Sequence, residues 1–273
     1  MPIIFNNNDK ISKFLFIKEK IVKFYHSCGF FISAIFHTLA GFGFPLISTS
    51  VLFTILPPKT AIILTLIPTF FMNVASIYTF VKFKEIIEIF KKYAVLFIFS
   101  AFGSYIGSHI LIAFPSGIYK LLLSVSVLIY LNKDKFYINF GDFVQRHFQF
   151  SLFVFGLISG IIGGLINAMV IVLAILILEL NLSKGMAIAV MNLCFLTNKI
   201  SQISTFAAFG EFGSKEILFG AISVAVCFAA LFITNKFKDR VSDELFKKLV
   251  KLTLIFFAIF ILVQYFLEIL KWL

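Results

Sequence analysis

Charge is scarce in this chain. Only 14% of its 273 residues are Asp, Glu, Lys or Arg, against about a quarter in an average soluble domain. At the same time 60% are hydrophobic and the mean hydropathy is +1.04. A water-soluble globule of this length could not hide so much apolar surface. That excludes a cytosolic enzyme, a disordered regulator and a nucleic-acid-binding domain. Acids are the rarest charges: 13 Asp and Glu stand against 24 Lys and Arg, a net charge of +11. In a soluble chain that excess would suggest nucleic acid. Here most lysines fall in the gaps between apolar runs, where they meet lipid headgroups and set orientation. Cysteine is nearly absent: Cys28, Cys194 and Cys227 are scattered, with no CxxC and no metal-ligand spacing. The single tryptophan, Trp272, closes the last apolar run, the place of an interfacial anchor. HExxH, GxSxG, Walker A and clustered carboxylates are missing too, so the sequence points to no enzyme, no catalytic residue, no metal and no cofactor.

Long apolar runs fill the remainder. Residues 1–27 form a basic arm in which Ile11, Phe14, Leu15, Ile21, Val22 and Tyr25 recur at helical spacing, as expected of an amphipathic helix in the headgroups. Eight apolar segments follow: Cys28–Leu56, Thr60–Val81, Tyr93–Phe114, Pro115–Leu131, Phe148–Leu180, Gly185–Phe209, Glu216–Asn235 and Leu249–Leu270. None alternates with period two, so all are read as helices; only helices and closed barrels satisfy their backbone in lipid. The expected fold is an all-α polytopic membrane protein with no soluble domain.

Two segments are too long for one span. Cys28–Leu56 would measure about 43 Å as a continuous helix, well beyond a hydrocarbon core of about 30 Å, and Phe148–Leu180 is longer still. Both carry helix-weakening residues near the middle: Gly41, Gly43 and Pro45 in the first, Gly160, Gly163 and Gly164 in the second. The expected breaks are at these residues, either as kinks in a tilted span or as the tips of re-entrant hairpins.

The two halves resemble each other. Lys59 and Lys184, Asn73 and Asn198, and Ser76 and Ser201 are each 125 residues apart, and Lys84-Glu85-Ile86 returns as Lys215-Glu216-Ile217 after a six-residue insertion. A duplication follows, with membrane repeats at 28–131 and 148–273 joined by a basic loop at 132–147. Lysine and arginine counts bear on topology. With the arm set aside, re-entrant long segments leave only Lys59, Lys120, Lys215 and Lys271 on one side and thirteen basic residues on the other. Full spans remove the bias. The positive-inside rule therefore favours re-entrant segments, which also make the halves inverted.

Several residues are candidates for a translocation path. Asn73 and Ser76 share a helix face with Thr65 and Thr69, and Asn198 and Ser201 share one with Cys194 and Thr205. Helix–helix hydrogen bonding would use the same residues. Lys199 lies deep in the sixth segment, where an ammonium needs a cavity, a carboxylate or an anion. No acid sits at a matching position on its helix, so an anionic substrate is the economical partner, with Glu179 as the alternative. His37 and His109 are candidates for a proton relay. A helix beginning in mid-membrane aims unpaired N–H groups at its surroundings and so offers an anion site made of backbone.

The stretch Ala40-Gly41-Phe42-Gly43, then Leu56-Pro57-Pro58-Lys59-Thr60-Ala61 and the helix to Asn73, resembles the sulfite exporter TauE/SafE family. The second half repeats it as Ser159-Gly160-Ile161-Ile162-Gly163-Gly164-Leu165, Leu182-Ser183-Lys184 and Met191-Asn192-Leu193 through Asn198. The resemblance covers about residues 28–270. One departure stands out: Phe44 and Pro45 occupy the place of a denser glycine run. The resemblance implies two duplicated helical modules and a secondary transporter of a small anion, such as a sulfur oxyanion or sulfonate, in the bacterial inner membrane. A gated anion channel and a non-transporting membrane scaffold are the alternatives. The expected partners are the small anion and the bilayer, with no nucleic acid; a homo-oligomer stays open.

Overall fold

A computed structural model describes residues 27–114, 116–132, 141–180, 182–237 and 243–270. Residues 1–26 of the basic arm, half of the connection at 132–147 and Trp272 lie outside the described residues. Within them the chain is helical, without a strand. The helices are α1 (Ser27–Ala40), α2 (Phe44–Phe53), α3 (Pro58–Phe80), α4 (Phe83–Lys92), α5 (Ala94–Ala113), α6 (Ile118–Leu131), α7 (Gly141–Arg146), α8 (Phe148–Ile166), α9 (Val170–Glu179), α10 (Lys184–Ala208), α11 (Ser214–Phe237) and α12 (Asp243–Leu270). Five of them, α3, α5, α8, α10 and α11, are long and apolar enough to cross a membrane by length and composition. Large apolar side chains such as Phe102, Tyr105, Phe232 and Phe256 point outward, as a lipid-facing surface requires.

The first long segment is a helical hairpin. The Phe44 amide lies against His37, and a Cβ on Gly29 would come 2.8 Å from Val51 Cγ1, so α1 and α2 run antiparallel. The reversal is made by Gly41 and Gly43, with φ of +82° and +101°. These are left-handed values that glycine adopts freely. Pro45 sits in the first turn of α2, where its missing N–H removes no helical bond.

The second long segment also folds back, but not at its glycines. Gly160, Gly163 and Gly164 all lie inside α8, which runs unbroken to Ile166. The turn is Asn167-Ala168-Met169, with Asn167 at φ 59°. Asparagine is one of the few other residues that visits this region routinely. The expected break at Gly163 and Gly164 is therefore corrected by a few residues toward the C-terminus. The glycines serve packing instead. Leu96, Ser100 and Ser104 of α5 oppose Gly156, Gly160 and Gly164 of α8, so closely that a Cβ on Gly160 would lie 2.3 Å from the Ser100 carbonyl oxygen. Small residues facing each other in this way let two helices approach along their whole length.

Hydrogen bonds fix the direction of the second hairpin. Asn198 reaches the Gly160 carbonyl and Gln202 those of Gly163 and Gly164, so α8 and α10 run parallel. The intervening α9 must return, and it packs against α7, which precedes α8.

Helices α3 and α10 cross the centre antiparallel. Lys59, at the start of α3, pairs with Glu211 just beyond α10 at 2.7 Å, while the start of α10 at Gly185 lies by the Phe80 carbonyl at the end of α3. The Lys-Glu-Ile sequences have the same role in both halves: Glu85 accepts the Lys82 amide at 2.6 Å and Glu216 accepts the Gly213 amide at 3.0 Å. Each carboxylate caps the start of a helix.

Candidate functional site: two hairpin tips around an ammonium

Tip 1, at Gly41–Gly43, ends level with Met72 and Ser76 of α3. Tip 2, at Asn167–Met169, ends level with Lys199 and Gln202 of α10. Each lies roughly 21–27 Å along the helix that follows it in the chain, counted at about 1.5 Å per residue from the start of α3 or α10. Because α3 and α10 are antiparallel, the hairpins enter from opposite ends and their tips overlap in the middle. The half-helices α2 and α9 begin there without a side-chain cap, so their first-turn amides give the region a partial positive charge.

At tip 2 the Lys199 side chain is 1% exposed. Its Nζ donates to Asn167 Oδ1 and to Gln202 Oε1, both at 2.5 Å. Each amide is oriented by its other end. Asn167 Nδ2 donates to Thr49 Oγ1 at 2.8 Å and to Thr65 Oγ1 at 2.9 Å, and Gln202 Nε2 donates to the Gly164 carbonyl at 3.0 Å. Both carbonyl oxygens are thus aimed at the ammonium. No carboxylate pairs with Lys199 among the described residues. Glu179, the alternative partner expected from the sequence, lies at the far end of α9 from Asn167.

At tip 1, His37 ties three pieces together. Its Nδ1 accepts the Phe44 amide at 3.3 Å, while Nε2 lies 3.1 Å from the Met72 carbonyl and 2.8 Å from Ser76 Oγ. A backbone N–H can only donate, so Nδ1 carries the lone pair and the ring proton is on Nε2. From the other side, Asn192 Nδ2 of α10 donates to the Gly41 carbonyl at 2.6 Å.

Between the tips lie polar atoms without partners: Thr69 Oγ1, both side-chain atoms of Asn73, Asn192 Oδ1 and Asn198 Oδ1. All belong to fully buried side chains. Each such atom costs about 1–3 kcal/mol if nothing meets it, so a group of them on two crossing helices marks a place for water or a polar ligand. Pro68, one residue before Thr69, removes a ladder bond of α3 at the same level.

The residues expected to line a path divide. Asn73 of α3 and Asn198 of α10 both carry buried atoms without partners, and Lys199 adjoins Asn198 on α10. Ser76 is engaged by His37, and Ser201 donates to the Ala101 carbonyl of α5 at 2.7 Å. His109 lies on the exposed side of α5, against Tyr105 and Phe209. Gly163 makes room for Asn198, whose Nδ2 would be 2.7 Å from a Cβ there. Sequence reasoning missed Asn167, Gln202, Thr49 and the tie from Asn192. A polar residue three positions from Lys199 on its own helix was the available signal for Gln202.

Residues 26–261 match the family model described as Sulfite exporter TauE/SafE. The chain belongs to this family. No curated protein and no solved structure matches it. A TauE/SafE chain is a membrane transporter of sulfur anions, and with several helices able to span, this one is a multi-pass protein of the cell membrane.

Proposed function

We propose that this protein is a secondary carrier that moves a small sulfur oxyanion or sulfonate through the space between the two tips, with Lys199 as the charge that holds it. The observation that carries the reading is Lys199 itself: a fully buried lysine whose partners are two neutral amides. An unpaired charge inside a membrane protein is expensive, and it persists where function uses it. Asn73 of α3 supplies an unpartnered amide nitrogen that can donate to an anion, and the amino ends of α2 and α9 add anion-attracting dipoles.

Helix pairing supports two inverted repeats. Helix α3 packs on α11 as α10 packs on α5; α2 meets α12 as α9 meets α6; α3 with α10 and α6 with α12 pair across the middle. These are the contacts expected if a two-fold axis relates 28–131 to 148–273. The axis lies in the membrane plane, because the equivalent helices α3 and α10 are antiparallel. A binding place on that axis can face either side in turn.

The test is flux in proteoliposomes with sulfite, sulfate, thiosulfate and a short alkyl sulfonate, with and without a pH gradient. The carrier reading expects saturable flux of at least one of these and its loss in Lys199→Ala at normal expression. Wild-type liposomes no faster than empty ones for the whole panel would reject it.

A further inference from the structure

Lys199 already holds two oxygens. Asn167 Oδ1 and Gln202 Oε1 each lie 2.5 Å from Nζ, and each amide is oriented toward it by hydrogen bonds from its nitrogen. Gln202 is on the same helix as Lys199. Asn167 is not: it is the turn residue of tip 2, and its Nδ2 is bonded to α2 and α3 through Thr49 and Thr65. One side chain therefore links the ammonium, the tip of one hairpin and the body of the other.

We propose that Asn167 is the internal stand-in for the anion: it occupies Lys199 when the site is empty, and an arriving anionic oxygen displaces it. The inference rests on the reading that Lys199 binds the anion. A charged oxygen makes a stronger hydrogen bond to an ammonium than an amide oxygen does, so the anion wins the exchange. The displaced Asn167 then loses its contact with α10, and occupancy of the site loosens the turn of tip 2, while α8 stays bonded to α10 through Asn198 and Gln202. Asn167 is a positioning residue in this scheme, and it sets affinity as well, since the anion must compete with it.

Two substitutions separate this from a structural role. Asn167→Gly keeps the left-handed turn and removes the competitor. It is expected to lower KM for the panel anion that the wild type moves fastest by about tenfold, the worth of one hydrogen bond to a charge, while kcat falls because anion binding no longer moves the tip. Asn167→Asp has nearly the same size and supplies a permanent carboxylate to Lys199. It is expected to fold, to run as a monodisperse peak in detergent, and to show no flux above empty liposomes. An unchanged KM in Asn167→Gly, whatever happens to kcat, would overturn the proposal, as would wild-type flux in Asn167→Asp. Should Asn167→Gly fail to fold, Asn167→Asp decides alone. Lys199→Ala run in parallel keeps the two readings apart. If it still binds and moves the anion, the carrier site is elsewhere. If it loses the anion while Asn167→Gly leaves KM unchanged, the site stands and the stand-in role falls.

Discussion

Asn192 Nδ2 donates to the Gly41 carbonyl at 2.6 Å, and so joins α10 to the turn of a hairpin 151 positions earlier in the chain. The bond connects the two halves at a residue whose φ of +82° no other side chain would adopt at ease. Replacing Asn192 with Ala strands a buried carbonyl. The expected loss is about 1–3 kcal/mol of stability, seen as a lower melting temperature in detergent. Flux should fall with it by about fivefold or more, as tip 1 loses its anchor.

Gly41 and Gly43 should respond differently to alanine. Both carry left-handed φ, so each substitution incurs about 1–2 kcal/mol of backbone strain. A Cβ at 41 would also meet Ile188 at 2.7 Å, whereas at 43 nothing lies within 4 Å. Gly41→Ala is expected to be clearly the more destabilising of the two in thermal denaturation. Equal melting temperatures would contradict this packing.

Gly160→Ala is expected to be severe. Its Cβ would fall 2.3 Å from a backbone oxygen that cannot turn aside, and overpacking of this kind costs about 1–3 kcal/mol or more. Ser159→Ala, next to it, removes a hydroxyl bonded to the Gly156 carbonyl of its own helix and should cost well under half as much. Comparing the melting temperatures of the two variants checks the close approach of α5 and α8.

His37 supplies the predicted pH dependence. A proton added to Nδ1 would point at the Phe44 amide, donor against donor, so a protonated ring loses this one of its three ties. His37→Ala is expected to reduce flux and to remove its dependence on an imposed pH gradient. Retention of the full gradient effect in that variant would place the coupling elsewhere.

The antiparallel crossing of α3 and α10 predicts sidedness. In a background without Cys28, Cys194 and Cys227, a cysteine at 59 and one at 184 should label with an impermeant reagent from opposite faces of the membrane. Labelling of both from one face would contradict the inverted arrangement.

Much of this was legible in the sequence where chemistry is local. Gly41, Gly43 and Pro45 announce a turn because their backbone restrictions act within a few residues. Lys199 stands out because a lone ammonium in an apolar run is rare whatever surrounds it. The second turn was read at Gly163 and Gly164 because glycine weakens an isolated helix. In the folded protein those residues are held helical by the facing backbone of α5, a contact between segments some sixty residues apart. Asn167, the true turn, carries no strong local mark. Ser76 and Ser201 occupy matching positions in the sequence, yet one meets a histidine and the other a carbonyl. Hydroxyl partners are decided by tertiary register, which short motifs do not encode.

The seam between α5 and α8 limits how this molecule can change shape. One helix comes before the connection at 132–147 and the other after it, yet from Leu96 to Ser108 they touch backbone to backbone with no side chains between them to yield. The two halves of the chain are keyed together here like a tenon in its mortise and cannot swing apart as rigid wings. Helix α8 is thereby fixed, and of the second hairpin only the α9 arm lies outside the seam.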